Sequence, residues 1–332
     1  MNKFLKVLGL FVLCFLLIKI AMVAIVYTLA PESDRKLMFY GKNDPNKPKI
    51  ILVGASNITF NYNYEYLSKR FPGYNIIGCH YSAPSGPFVT INKLKLLKPD
   101  EKDILIFDFP HSFYEPSNFF PINDAMTVSR TSKSAMRNAF LFNPVYAARS
   151  FFRLNFKDFY HVYTKIWLKR ADPYKEWVYT TPSRDSLYNA CWTNDSTKIK
   201  DVHYNPSVNF HIVSAGFDKD YITSLYSSIK KNFTSRIFFH FPPLRKGDFD
   251  VDMKRIAFLE KELPFLNSFQ SSIYDTQYMY NQWYHLNKCG TNLSSIDLEK
   301  KLDKIIQHPA NTGHQALSGI APMAISFHTE PR

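Results

Sequence analysis

Two short stretches, far apart in the chain, hold residues that could do chemistry together. In the first, the apolar run Ile50, Ile51, Leu52, Val53 breaks abruptly into Gly54, Ala55, Ser56 and Asn57. Such a run reads as a buried parallel strand that stops in a tight turn. Ser56 is then expected at the carboxyl end of a strand, where open α/β sheets hold their chemistry and turn amides can face a developing oxyanion. The second stretch is "YMYNQWYHLNKCG", Tyr278 to Gly290, which contains His285. A serine hydroxyl beside an imidazole suits nucleophilic acyl transfer, because the ring takes the hydroxyl proton as the oxygen attacks a carbonyl. Each stretch alone is weak evidence. Gly and Ser fill many strand-end turns for geometric reasons, and a lone histidine is more often structural.

The segments between them supply the elements that must position these groups. Tyr64 to Phe71 reads as a helix, and Tyr74, Asn75, Ile76, Ile77 as a second strand ending at Gly78. After the small residues Ser82 to Gly86 come a helix over Thr90 to Leu97, a turn over Pro99 to Asp103 and a third strand, Ile104 to Phe107. Strand and helix alternate, which predicts a doubly wound α/β sheet. The strand pattern resumes at Arg236 to Phe241 and stops at Pro242 and Pro243; a helix follows over Asp252 to Leu263. A last helix after His285 would put Leu298, Leu302 and Ile305 on one face, with Ser294 or Ser295 as its cap.

From Glu115 to about Ser228 the chain is rich in Phe, Tyr and Trp with no clean period, as expected for inserted short helices and loops over the sheet's catalytic edge. Phe151, Phe152, Phe156, Tyr160, Tyr163 and Trp167 are expected in a core in preference to an acyl-chain or sugar platform. His308 to Arg332 reads as an extended or disordered tail.

Val7 to Ala30 is apolar except for Lys19, and as a helix it exceeds the roughly 30 Å of a bilayer's hydrocarbon. A retained single crossing is favoured over a cleaved signal peptide, because Pro31 directly follows the one plausible small-residue site, Ala30; a polar linker, 31–48, then leads into the domain. Lys3 and Lys6 on one flank and Arg35, Lys36, Lys42, Lys47 and Lys49 on the other leave the orientation open. Lys19 is costly in lipid unless it snorkels or meets a partner such as a polytopic membrane protein.

The 332 residues are 45% hydrophobic and 16% aromatic, which excludes a disordered chain. A net charge of +13 attracts anionic glycans or lipid headgroups, while the absence of a compact Lys/Arg run or recognition signature argues against nucleic acid as a partner. The four cysteines, Cys14, Cys79, Cys191 and Cys289, form no C-x-x-C pair, so neither a metal site nor a disulfide scaffold is indicated, and no cofactor is expected. Cys79 and Cys289 flank the two reactive stretches; a bond between them is conceivable, but inert thiols are the favoured reading.

The run from Ile50 to Tyr114 resembles the first three sequence blocks of SGNH (GDSL-like) hydrolases, and most resembles membrane-anchored members associated with modifying cell-surface polymers. The resemblance implies a flavodoxin-like three-layer fold, a sheet with helices on both faces over 49–307, carrying the N-terminal anchor and the inserted region 116–228. It implies that Ser56 in "ILVGASNITF" is the nucleophile and that Gly78 in "NIIGCHYSAPSG" gives an oxyanion amide. It also implies that His285 is the general base. The block-III asparagine has no clear counterpart in "FDFPHSFYE", where His111 or Ser112 could supply a donor, and Asn57 is a further candidate for oxyanion or substrate contact. Family members commonly carry Asp three or four positions before the histidine; here those positions are Gln282 and Asn281. Asp275 could reach the ring instead, Asn281 could orient it as an amide, or activity could be lost; in a serine protease the acid-to-amide change costs about 10⁴ in turnover. The function implied is a membrane-tethered, extracytoplasmic esterase or O-acyltransferase acting on acyl groups of a cell-envelope polysaccharide or related polymer. The alternative is a silent relative that binds glycan or scaffolds a polytopic membrane acyltransferase.

Overall fold

The structure, a computed structural model, describes residues 2–30, 39–40, 44–80, 86–123, 128, 131–167, 218–246, 252–280 and 284–308. The four apolar runs read as strands become one sheet, which takes a fifth, edge strand from the segment expected as a linker, 31–48. It contains β1 (Phe39–Tyr40), β2 (Lys49–Gly54), β3 (Asn75–His80), β4 (Ile104–Asp108) and β5 (Arg236–Phe239), in the spatial order β1-β3-β2-β4-β5. The last four are mutually parallel and β1 is an antiparallel edge. A separate two-stranded pair joins β6 (Leu244–Arg245) to β7 (Ile273–Tyr274).

Strand order reverses at β2, with β3 on one side and β4 on the other. In open parallel sheets such a reversal leaves a crevice beyond the carboxyl ends of the strands. Gly54 pairs with both His80 and Asp108, so β2, β3 and β4 end at one level. A Cβ at Gly54 would stand 2.5 Å from the Asp108 carbonyl oxygen, so the close approach of these two strand ends requires glycine.

Because side chains alternate across a strand, each face of the sheet has its own core. On one face Ile51, Val53, Leu105, Phe107 and Phe239 pack with α4 (Gly86–Leu94), α8 (Lys219–Asn232) and α9 (Met253–Glu262). On the other, Ile50, Leu52, Ile104 and Ile106 pack against Leu67 of α3 (Tyr64–Arg70) and against Leu298, Leu302 and Ile305 of α10 (Lys288–Gln307). At about 1.5–3 kcal/mol for each large aliphatic buried, these two layers are the main favourable term for the fold. The short helix α2 (Asn57–Phe60) follows β2 directly.

The N-terminal helix α1 (Asn2–Leu29) is long and apolar enough to span a membrane, and it is exposed along most of its length. Its last turns are not: Met22, Val26 and Ala30 join the same core as α4 and α8. In the inserted region α5 (Lys133–Phe142), α6 (Pro144–Arg153) and α7 (Phe156–Trp167) are described, and α7 packs along α1.

Several expectations are corrected. The helix expected at Thr90 begins at Gly86, where a φ of 74° needs glycine and a Cβ would overlap the Asn118 carbonyl. The last helix is capped by Asn287, whose Oδ1 accepts from the Gly290 amide at 3.0 Å, while Ser294 and Ser295 are buried inside it. Cys289 is disulfide-bonded, whereas Cys79 is a free, buried thiol, so these two are not paired with each other and are not both inert. Phe152, Phe156, Tyr160 and Trp167 are exposed rather than in the core. The tail expected from 308 lies outside the described residues beyond His308.

Candidate active site

Ser56 stands two residues beyond β2, at the reversal point, and heads α2. Its turn is fastened by Asn57. The Asn57 Oδ1 accepts from the Ala55 amide at 3.0 Å, and its Nδ2 donates to the Asp108 carbonyl at 2.9 Å. One end of this buried amide thus closes the turn and the other holds the turn to β4.

His285 arrives from the other end of the chain. Its loop is closed by the Tyr280 amide donating to the His285 carbonyl at 2.8 Å and the Asn287 amide donating to the Tyr278 carbonyl at 2.9 Å. Gly290 lets the loop pass tightly, since a Cβ there would come within 2.5 Å of the Tyr278 carbonyl. The loop is tied to the serine side: the Leu286 amide donates to Asn61 Oδ1 at 3.2 Å, and the Thr291 hydroxyl donates to the Phe60 carbonyl at 2.5 Å. The Phe60 ring lies 4.2 Å from the imidazole centroid and Tyr284 packs edge-on at 4.5 Å.

These ties bring His285 Nε2 to 2.9 Å from Ser56 Oγ, across 229 positions of sequence. Geometry of that kind permits proton transfer from the hydroxyl to the ring. The Tyr284 hydroxyl is a third member, 3.3 Å from Ser56 Oγ. Both side chains are buried, and burial pushes the His285 imidazole down to about 3, so the ring is neutral at ordinary pH and able to accept a proton.

Beside them, at the end of β4, lies a second polar group. Tyr62 donates to Asp108 Oδ2 at 2.6 Å, and the same hydroxyl is 3.1 Å from His240 Nδ1. Because the single Tyr62 proton goes to the carboxylate, His240 Nδ1 must carry the proton that completes the second bond. Burial pushes Asp108 up to about 7 even though the bonds from Tyr62 and Asn57 pull the other way. His240 is held well below its ordinary value, chiefly by burial and then by the charge of Lys301.

The remaining candidates fall elsewhere. Gly78 is a rung of β3 opposite Leu52, two residues before the strand ends, and a Cβ there would overlap the Tyr64 hydroxyl. Its amide therefore belongs to the ladder, and the residue's visible role is to admit Tyr64. His111 is buried against Phe241 and Phe269, and among the described residues its two ring nitrogens have no hydrogen-bond partner. Burial, then the charge of Arg255, pushes it down to about 3; none of its contacts reaches Ser56 or His285. Asp275 faces Lys246 at 3.6 Å and is partly exposed. Asn281 and Gln282 lie outside the described residues. The sequence reading missed Tyr284 and Asp108. Adjacency to His285 was the available signal for Tyr284; for Asp108 it was its place directly after the third expected strand, Ile104 to Phe107.

No family model, curated protein or solved structure matches the chain.

Proposed function

We propose that the chain is a membrane-tethered serine esterase or O-acyltransferase of the SGNH type, acting on acyl groups of a cell-envelope polysaccharide or related polymer. The observation that carries this reading is the 2.9 Å approach of Ser56 Oγ to His285 Nε2 at the reversal point of a parallel sheet. In the first step Ser56 Oγ bonds to the ester carbonyl carbon as its proton passes to His285 Nε2. The carbonyl electron pair moves onto oxygen, toward which the main-chain N–H of Ser56, at the head of α2, donates. Collapse breaks the bond to the leaving alcohol, which takes the proton from His285, and leaves an acyl-serine. Water or a sugar hydroxyl then attacks that ester as its proton passes to His285, and collapse breaks the bond to Ser56 Oγ, which takes the proton back, giving hydrolysis or transfer.

The apolar helix α1 supports tethering, and the disulfide at Cys289 supports placing the domain in an oxidising, extracytoplasmic compartment. A fluorophosphonate that labels the intact chain and fails to label Ser56→Ala is the expected result. Absence of labelling in a folded parent would remove the catalytic reading.

One observation favours a second, non-catalytic reading in which the same crevice binds acylated glycan. Ser56 is only 4% exposed, with the Tyr284 hydroxyl close to it. Polymer binding that survives Ser56→Ala, in a parent that never labels, would select it.

A further inference from the structure

The helices of the insertion carry an unusual surface. Leu141 is 81% exposed, Val145 57% and Phe152 58% along α5 and α6; Phe156, Tyr160 and Trp167 on α7 are each 60% or more exposed. Phe156, Tyr160, Tyr163 and Trp167 recur at helical spacing, so they form one stripe, and Tyr163 stacks on Trp167 at 5.2 Å. Single exposed apolar residues are ordinary, but large apolar side chains exposed together on three successive helices mark an interaction face.

What covers it follows from α1. Apart from Lys19, α1 is exposed from Lys3 to Ala21, and at about 1.5 Å per residue that stretch nearly matches the roughly 30 Å of hydrocarbon. The bilayer boundary on the domain side therefore falls near Lys19 to Met22, where α1 enters the protein core. At that same level the Lys19 ammonium donates to the carbonyls of Phe152, at 3.2 Å, and Leu154. The junction of α6 and α7 is thus fixed to the helix at the membrane boundary, and α7 runs along α1. Exposed Arg137, Arg149, Arg153 and Lys157 lie among the apolar residues, the pairing of basic and aromatic side chains that suits the headgroup zone.

We infer that α5, α6 and α7 form a collar around α1 that is itself sunk into the outer part of the bilayer, with phospholipid as the occupant of this surface. The domain is then seated in the membrane in a fixed orientation instead of swinging on a tether. Lys19 serves as the clasp between anchor and collar, so its ammonium is spent within this chain. The inference rests on α1 crossing the membrane and is independent of the chemistry at Ser56.

The test uses the full chain in a Cys14→Ser background, reconstituted into phosphatidylcholine and phosphatidylglycerol vesicles containing dibrominated acyl chains. An environment-sensitive fluorophore is placed in turn at Leu141→Cys and Tyr160→Cys, with Leu16→Cys as the bilayer reference and Lys69→Cys, on the opposite side of the sheet, as the aqueous one. Brominated lipid should quench positions 16, 141 and 160 by roughly two-fold or more, and leave 69 unchanged. Quenching at 16 without quenching at 141 and 160 overturns the collar while sparing the anchor. No quenching at 16 overturns the anchor and the collar together. Neither outcome depends on whether Ser56 reacts with a fluorophosphonate.

Discussion

The side-chain amide of Asn57 and the main-chain carbonyl of Asp108 are joined across 2.9 Å, which fastens the reactive turn to the end of the neighbouring strand. Asn57→Ala would leave that buried carbonyl and the Ala55 amide without partners, at about 1–3 kcal/mol for each uncompensated group. Thermal or urea unfolding should register a loss of that order. At a temperature where the variant is still folded, fluorophosphonate labelling should fall at least ten-fold because Ser56 is no longer held to His285. Unchanged labelling would mean that the turn holds itself.

The pH dependence of labelling should be unusual. A histidine with an ordinary value near 6.5 would lose reactivity on acidification through that pH. Burial holds His285 down to about 3, so the neutral ring persists and the labelling rate should stay flat from about pH 8 to pH 5. An acid limb centred between pH 6 and 7 would contradict the buried, neutral imidazole. For stability the sign runs the same way. Between the folded value and the unfolded one only the unfolded chain binds the proton, so this contribution is complete above about 6.5 and is lost toward 3.

Asp108 has the opposite sign. Its folded value is pushed up to about 7, against about 3.9 unfolded, so the folded state holds the proton in that window and stability declines as pH rises through it. Asp108→Asn keeps an acceptor for the Tyr62 hydroxyl and removes the titration. The variant should therefore gain stability relative to the parent between pH 4 and 7, read as a rising difference in melting temperature. A difference that stays constant with pH would show that the carboxyl does not titrate there.

Gly78 separates packing from chemistry. Gly78→Ala forces a methyl against Tyr64, with a cost of about 1–3 kcal/mol for overpacking. Pairing it with Tyr64→Leu should recover part of the stability. Labelling of the folded fraction should remain near the parent rate, because the glycine amide lies in the β3 ladder away from the crevice. A rate lost in the single variant and not restored in the double would return Gly78 to the oxyanion role.

The parts legible in the sequence were those written locally. A β-branched run that stops at Gly54 announces a strand end, and the strand–helix alternation from Ile50 to Phe107 announces a parallel sheet, as found. The approach of Ser56 and His285 was anticipated through the resemblance of two motifs. What escaped depends on through-space registration. The Tyr62, Asp108 and His240 group draws on three distant segments, and no short pattern marks it. The aromatic stripe was read as core because a helical repeat of apolar residues says that one face is covered without saying by what. Ser294 and Ser295 are expected as caps only if the last helix starts near them; it starts about two turns earlier, where Asn287, of an equally good capping type, takes the role.

The joining of Ser56 and His285 across 229 positions also sets an order of events during synthesis. A ribosome releases α1 and the Ser56 turn before the imidazole loop, with Asn287 capping the helix that follows that loop. Until that loop emerges, the nascent polypeptide carries its serine without the imidazole that later stands beside it. On the proposed acyl-transfer reading, reactivity waits until the helix after that loop has docked, and a truncated copy lacking it would not react.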